Sequence, residues 1–373
     1  MRIRAALLRS TGARAPYAAS RPLEVIPLEL EEPGSGEVLV AVRAAGLCHS
    51  DLSVIDGSRA RPMPMVLGHE AAGEVVETGP GVRDLRAGDR VVLVFVPSCG
   101  SCDACRAGRP ARCGPGGAAN AAGTLLSGAR RWTAPGDEPV NHHLGVSAFA
   151  EQVVVSERSA VRVDGDLPHE IAALFGCAVL TGVGAVVHAA AVRPGDRVAV
   201  FGLGGVGLAA VLGALAAGAE TVVGVDRVPA KLDLARELGA VAVDARADPV
   251  AAVREATGGG ADQAVETVGS AAVLAQAYAA TRRGGTTVTV GLPDPGQMLS
   301  IPALSLVADE RTLRGSYLGS SVPGRDIPRL IGLHRAGRLP VDRLLTRRIG
   351  LDDLNAGFDR LAGGEDVRQV VTL

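Results

Sequence analysis

Four of the six cysteines fall in one short stretch, CGSCDACRAGRPARC, as Cys99, Cys102, Cys105 and Cys113. Thiols spaced this way can form disulfides, a redox pair or a metal site. The first residues, MRIRAALLR, reach another arginine before an apolar core of signal-peptide length develops, so export is not expected, and neither are disulfides. A thioredoxin-like pair would stand alone near a helix start, whereas here three cysteines repeat in step and a fourth closes the ring. Zinc suits the set: thiols two residues apart can wrap one ion, Gly100 and Gly108 allow a tight backbone, and four thiolates fill a tetrahedron. A filled shell makes the site structural. An iron–sulfur cluster uses similar spacings, and a zinc ribbon in a nucleic-acid or protein-binding module would look the same, so the rest of the chain has to decide.

The remaining cysteines are Cys48 in GLCHSDLS and Cys177 in LFGCAVLTGVG. Either alone reads as a buried core thiol. GHEAAGEVVETGPGV shifts the balance, because His69 sits between a glycine and a glutamate just before a strand. One histidine and two cysteines from separated segments make a three-ligand set with a position left free, as catalytic zinc requires. Two thiolates cancel the dication, so such a site suits an apolar pocket.

A third pattern concerns nucleotide binding. RVAVFGLGGVG is strand-like up to Phe201, then runs Gly202, Leu203, Gly204, Gly205, Val206, Gly207 into a helical stretch, and Asp226 closes the next strand, TVVGVD. Glycines at 202, 204 and 207 let the turn close, let backbone N–H groups approach a pyrophosphate and let helix pack on strand. Asp226 would accept ribose hydroxyls and repel a 2′-phosphate, which favours NAD over NADP, with Arg227 beside it as a counterweight. An S-adenosylmethionine site or an inactive sheet turn are the alternatives.

The elements that must position these groups divide the chain in two. Up to about residue 168 short Val-rich runs (Glu37–Arg43, Gly73–Glu77, Arg90–Phe95, Ala150–Val155) alternate with Gly- and Pro-marked turns, which predicts a β-rich domain. Between about Gly114 and Gly145 the pattern dissolves into Gly, Ala, Pro and Arg and reads as a long surface excursion, with His142 and His143 as loop residues. From about Pro168 strands alternate with helices, the mark of βαβ units and a parallel sheet. The uncharged run Val198–Ala219 is long enough to span a bilayer, but its glycines break it into a strand and a helix, so no membrane span is expected. A net charge of −2 with no long run of one sign argues against nucleic acid, which would want a basic face.

Together these motifs resemble the zinc-containing alcohol dehydrogenases of the medium-chain dehydrogenase/reductase superfamily, over nearly the whole chain. GHEAAGEVVETGPGV is similar to that family's zinc signature, the four-cysteine lobe to its structural zinc loop, and GTLLSGARRWTAPGDEPVNHHLGVSAFAE to the loop of its long-loop members. The resemblance implies an α/β protein in which a GroES-like β-rich catalytic domain, residues 1–178 with a return at 319–373, flanks a Rossmann doubly wound parallel sheet at 179–318. It implies two zinc ions, NAD, a homodimer and a small alcohol or aldehyde substrate, and the N-terminal residues noted above make the expected location cytoplasmic. Cys48, His69 and Cys177 would hold the catalytic zinc, with Asp51 behind His69, Glu70 near the metal and Ser50 bonding the alcohol oxygen. His49 and Arg368 would touch the pyrophosphate, Lys231 the adenosine ribose and Thr181 the nicotinamide side. Ser50 could instead cap the helix begun by SDLSVIDG. Many relatives pass the proton onward through a histidine three residues after the hydroxyl residue; here Ser53 stands there, so the exit is expected through the nicotinamide ribose and water. A thiol-dependent formaldehyde dehydrogenase would use the same site, and a zinc-binding interaction module with a vestigial nucleotide turn is the non-enzymatic alternative.

Overall fold

The computed structural model describes residues 1–373, which form two compact units. The first comprises Met1–Cys177, Val322–Ile331 and Leu345–Leu373. Its opening strands are β1 (Arg2–Leu8), β2 (Leu23–Leu30), β3 (Glu37–Gly46), β4 (Met65–Val66) and β5 (Glu70–Thr78). They are followed by β6 (Arg90–Leu93), β7 (Trp132–Ala134), β8 (Glu138–His142), β9 (Gln152–Ser156) and β10 (Ala160–Arg162). β1, β2, β7, β8 and β4 close into a barrel, so none of these strands keeps a bare edge. In the second sheet β3 lies between β5 and strands from elsewhere in the chain, and nine of its ten residues are buried. That explains its near-continuous apolar sequence, since a strand covered on both faces has no reason to alternate.

The stretch expected as a surface excursion is corrected by this barrel. Gly114–Ala122 is a helix, and the rest supplies β7 and β8 as staves, with Trp132, Val140 and His142 turned inward at 1%, 0% and 0% exposure. Period 2 is present, Trp132 and Ala134 being buried on either side of the half-buried Thr133. Three residues are too short a run for that alternation to stand out among the flanking Gly, Ala and Arg.

The second unit comprises Ala178–Ser321 and Gly332–Leu344. Its strands are β11 (Arg197–Phe201), β12 (Thr221–Asp226), β13 (Val241–Asp244), β14 (Ala261–Glu266), β15 (Thr281–Thr289) and β16 (Thr312–Gly315). All pair in parallel, in the order β13-β12-β11-β14-β15-β16. The chain winds outward one way from β11 and then the other way from β14, and in such doubly wound sheets the ligand crevice lies at that reversal. The uncharged run starting at Val198 is β11 plus the helix Gly205–Ala216, and no helix of the protein is long and apolar enough to cross a membrane.

The tail supplies β17 (Leu345–Ile349) and β18 (Arg368–Thr372), and β18 pairs antiparallel with β3 in the first unit. The return differs from the sequence expectation of a single segment from 319. Residues up to Ser321 and the segment Gly332–Leu344 group with the parallel sheet. Leu339, Val341 and Leu344 in that segment are fully buried, and burial of this kind by a distant element has no local trace.

Candidate metal and nucleotide sites

Cys48 follows β3 and is the N-cap residue of the helix His49–Ile55, His69 lies in the link between β4 and β5, and Cys177 follows the helix His169–Leu174. The sequence separates these residues widely, but the sheet brings one ligand atom of each within 4.8 Å of the others, all three buried. His69 Nδ1 donates to Asp51 Oδ1 at 3.1 Å, which leaves Nε2 facing Cys177 Sγ at 3.5 Å. Asp51, 0% exposed, also accepts from Gly68 N at 3.0 Å, so the carboxylate is tied to the backbone that carries the histidine. A carboxylate behind a ring fixes its tautomer and orients the other nitrogen toward a metal. Cys177's thiol donating to its sulfur holds Cys48 well below the ordinary thiol range, and the same contact together with burial pushes Cys177 up. One buried space does not hold two thiolates without a compensating cation, so the donor chemistry fits a dication.

Glu70 and Arg368 form a fully buried ion pair, at 0% and 4% exposure, beside the two thiols. Burial opposes the guanidinium's charge, but Glu70, Cys48 and Cys177 more than offset it and raise Arg368 above its ordinary value. Gly46 is required here, since a Cβ would collide with Glu70 Oε1 and lie 3.1 Å from Arg368 Nη2. Arg368, expected at the cofactor pyrophosphate, is thus placed against Glu70 within the first unit. Ser50 is the second residue of its helix and not the cap, a role held by Cys48. His49 is exposed and Ser50 half-buried. Ser53 donates its hydroxyl to His49 O at 2.9 Å, the previous turn's carbonyl.

In the four-cysteine lobe all four sulfurs lie within 4.8 Å of one another. Backbone N–H groups point at them: Cys99 N to Cys113 Sγ at 3.2 Å, Cys102 N to Cys99 Sγ at 3.3 Å and Gly116 N to Cys113 Sγ at 3.3 Å. The N–H groups of Ser101 and Cys102 lower Cys99 to about 6, while burial pushes Cys105 up to about 12. Gly100 and Gly108, at φ +75 and +69, make the turns that a side chain would strain.

The glycine turn lies between β11 and the helix Gly205–Ala216, which has no side-chain cap. Gly202 sits at φ +93, and a Cβ on Gly207 would collide with Gly202 O. At Gly204 a Cβ would meet nothing within 4 Å, so the backbone is open there to a phosphate, beside Gly205 and the half-buried Val206. Asp226 ends β12; its Oδ2 accepts from Leu203 N at 2.7 Å and its Oδ1 from Arg227 N and Val228 N at 2.7 and 2.9 Å. The expected ribose acceptor therefore also fastens the glycine turn. Lys231 follows in the helix Pro229–Glu237, and Thr181, 8% exposed, has a buried hydroxyl without a hydrogen-bond partner.

Sequence reasoning passed over two groups. His143, 1% exposed, lies edge-on to His69, and burial lowers it to about 3. Glu266 at the end of β14 accepts from Val268 N, Gly269 N and Thr289 Oγ1, and Thr267 donates to Gly202 O at 2.9 Å. A buried carboxylate thereby shapes the rim of the glycine turn. ETVG directly after a parallel strand was the available signal.

Residues 34–165 match the family described as alcohol dehydrogenase GroES-like domain, and residues 205–334 match zinc-binding dehydrogenase. The chain is 40% identical over 368 residues to an NDMA-dependent alcohol dehydrogenase of Amycolatopsis methanolica, covering 97% of this chain and 98% of that one. It is 40% identical over 377 residues to a geraniol dehydrogenase of Castellaniella defragrans, covering 98% and 96%. The crystal structure of benzyl alcohol dehydrogenase from Acinetobacter calcoaceticus superposes with a TM-score of 0.93 at 34% identity, covering 100% of this chain and 99% of that one. The chain therefore belongs to the zinc-type alcohol dehydrogenases of the medium-chain dehydrogenase/reductase superfamily, and alcohol oxidation is the activity class of that family.

Proposed function

We propose that the protein oxidises a primary alcohol to an aldehyde, and runs the reverse reaction, with NAD as hydride acceptor and two zinc ions, one at Cys48, His69 and Cys177 and one at the four-cysteine lobe. The observation that carries this reading is the buried donor set whose histidine is fixed by Asp51, leaving Nε2 and two sulfurs converging. When bound, zinc would supply the Lewis acidity that lowers an alcohol's pKa, and NAD would supply the hydride acceptor. The two thiolates balance the dication, and the Glu70–Arg368 pair adds no net charge. Ser50, two residues after Cys48, takes the hydroxyl proton and releases it toward water. Ser53 does not extend that path, because its own hydroxyl donates to His49 O. In the second unit the open backbone at Gly204 receives the pyrophosphate, while Asp226, Lys231 and Thr181 are assigned to the ribose and nicotinamide ends.

Relatives named for geraniol and benzyl alcohol favour an allylic or aromatic primary alcohol over a formaldehyde–thiol adduct. The test is NADH absorbance on mixing zinc-replete protein and NAD with ethanol, hexanol, benzyl alcohol, geraniol, and formaldehyde with and without cellular thiols. A signal with simple alcohols supports the reading; a signal only with formaldehyde plus thiol moves the protein to the thiol-dependent reaction. A parallel arm with added NDMA is included because one relative is named for dependence on it.

Asp226 gives a sharper test of the cofactor. Asp226→Asn is expected to raise KM for NAD by roughly 10- to 100-fold, the worth of a charge-assisted hydrogen bond, and to narrow the preference over NADP. An unchanged KM would remove Asp226 from the ribose site.

A homodimer accounts for the exposed end of the second unit. β16 is the last strand of its sheet, and beside it in sequence Leu304 and Val307 are 76% and 78% exposed on the helix Ala303–Ala308, with Met298 at 87%. An uncovered edge strand with apolar side chains invites pairing with a second copy. The double variant Leu304→Glu, Val307→Glu is expected to sediment as a monomer where the parent sediments as a dimer; a monomeric parent would refute the assignment. The six cysteines are unpaired, which suits a reducing cytoplasm.

A further inference from the structure

His143 follows β8 and reaches the back of the Cys48–His69–Cys177 cluster. Its Nε2 lies 3.4 Å from Asp51 Oδ1 but out of line for a hydrogen bond, and neither of its ring nitrogens has another hydrogen-bond partner. Asp51 Oδ2 has none either. Buried polar atoms are paired in the great majority of cases, so three orphans gathered at one carboxylate call for more than packing.

The backbone leaves the ring little freedom to be anywhere else. His143 N donates to Ser147 Oγ at 2.8 Å, Ser147 Oγ donates to Val66 O at 2.8 Å, and His143 O accepts from Val146 N and Ser147 N. The ring then stands edge-on to His69 with centroids 5.5 Å apart, and Phe95 packs edge-on to His69 at 5.4 Å. An apolar side chain would fill this space without stranding two nitrogens.

We propose that His143 is a positioning residue for His69: a small turn of its ring brings Nε2–H, 3.4 Å from Asp51 Oδ1, into line with that carboxylate, and the carboxylate so held keeps His69 Nε2 turned toward Cys177. Gly68 N and His69 Nδ1 already bond Asp51 Oδ1, and a third bond from the His143 ring beside them would keep the carboxylate from swinging away from His69. The inference rests on the zinc reading of that cluster. It assigns His143 no contact with substrate and no charge change.

The test follows zinc release from the purified holoenzyme into a chromophoric chelator. Parent protein carrying two equivalents per chain, one of them missing from Cys48→Ala, upholds the zinc reading; fewer than two defeats that reading and this inference with it. Given two, His143→Phe, which keeps ring volume without a donor, is expected to release the Cys48-dependent equivalent at least about 10-fold faster than the parent, the usual scale for losing a group behind a metal-binding histidine. Its melting temperature stays within a few degrees of the parent's, and His143→Gln, which restores an N–H, releases within about 3-fold of the parent. Release from His143→Phe at the parent rate overturns the proposal. So does His143→Gln releasing as fast as His143→Phe, because the donor would then be irrelevant. His143→Leu and His143→Asn carry the same two arms if either variant does not fold.

Discussion

Replacing Cys48 with alanine is expected to lower kcat/KM for the best alcohol by at least about 1,000-fold, because a Lewis acid contributes several kcal/mol and each 1.36 kcal/mol is a factor of ten. Zinc content should fall by one equivalent per chain. The fold should persist, because the helix His49–Ile55 is anchored by Cys48's backbone and not its thiol: Cys48 O accepts from Asp51 N at 3.0 Å and from Leu52 N at 3.3 Å. Steady-state kinetics, elemental analysis and a melting curve on the same preparation make the check. Undiminished turnover would sink the metal assignment at this cluster.

Cys102→Ser is expected to do the opposite, sparing chemistry and costing stability. The lobe is built on its sulfurs, which take backbone N–H groups from Cys99, Cys102 and Gly116, and little else in it is buried: of the short helix Asp103–Arg106 no residue is. Where a metal site is the core, metal-binding energy is folding energy. A loss of a few kcal/mol in a unit this size corresponds to roughly 10 °C in Tm. Calorimetry of the variant, and of parent protein stripped by chelator, should converge on the lower value. A variant that melts with the parent would mean that this cluster binds no metal that matters to folding. Together the two substitutions separate an ion needed for turnover from an ion needed for structure.

How much of this was legible beforehand follows from how local each signal is. The glycine turn could be read because β11, the turn, the helix and Asp226 are contiguous, and steric demands such as that of Gly207 on Gly202 O act over a few residues. The four-cysteine lobe is contiguous for the same reason. Cys48, His69 and Cys177 could be singled out by their neighbours, but their meeting depends on β3 and β5 lying side by side. Arg368 shows the limit. Its partner Glu70 lies on another strand far away in the sequence, and nothing around residue 368 announces it. His143 shows another, since it follows β8, a stave of sequence EPVNH whose proline and asparagine read as a loop until the barrel is closed around it.

The pairing of β18 with β3 imposes an order of events on synthesis. A chain emerging from the ribosome folds from its N-terminal end. Cys48, His69 and Cys177 emerge well before Arg368, so a nascent chain would present the two thiols and Glu70 with no guanidinium to balance them, and the Ala44–Gly46 end of β3, beyond its pairing with β9, would lack its partner until β18 arrived. The sheet strands between β11 and β16 would already be available to pair by then. The cell would therefore meet a half-made molecule whose thiol-bearing pocket is exposed while its parallel-sheet half is finished, an interval in which a chaperone or an unwanted metal has its best opportunity.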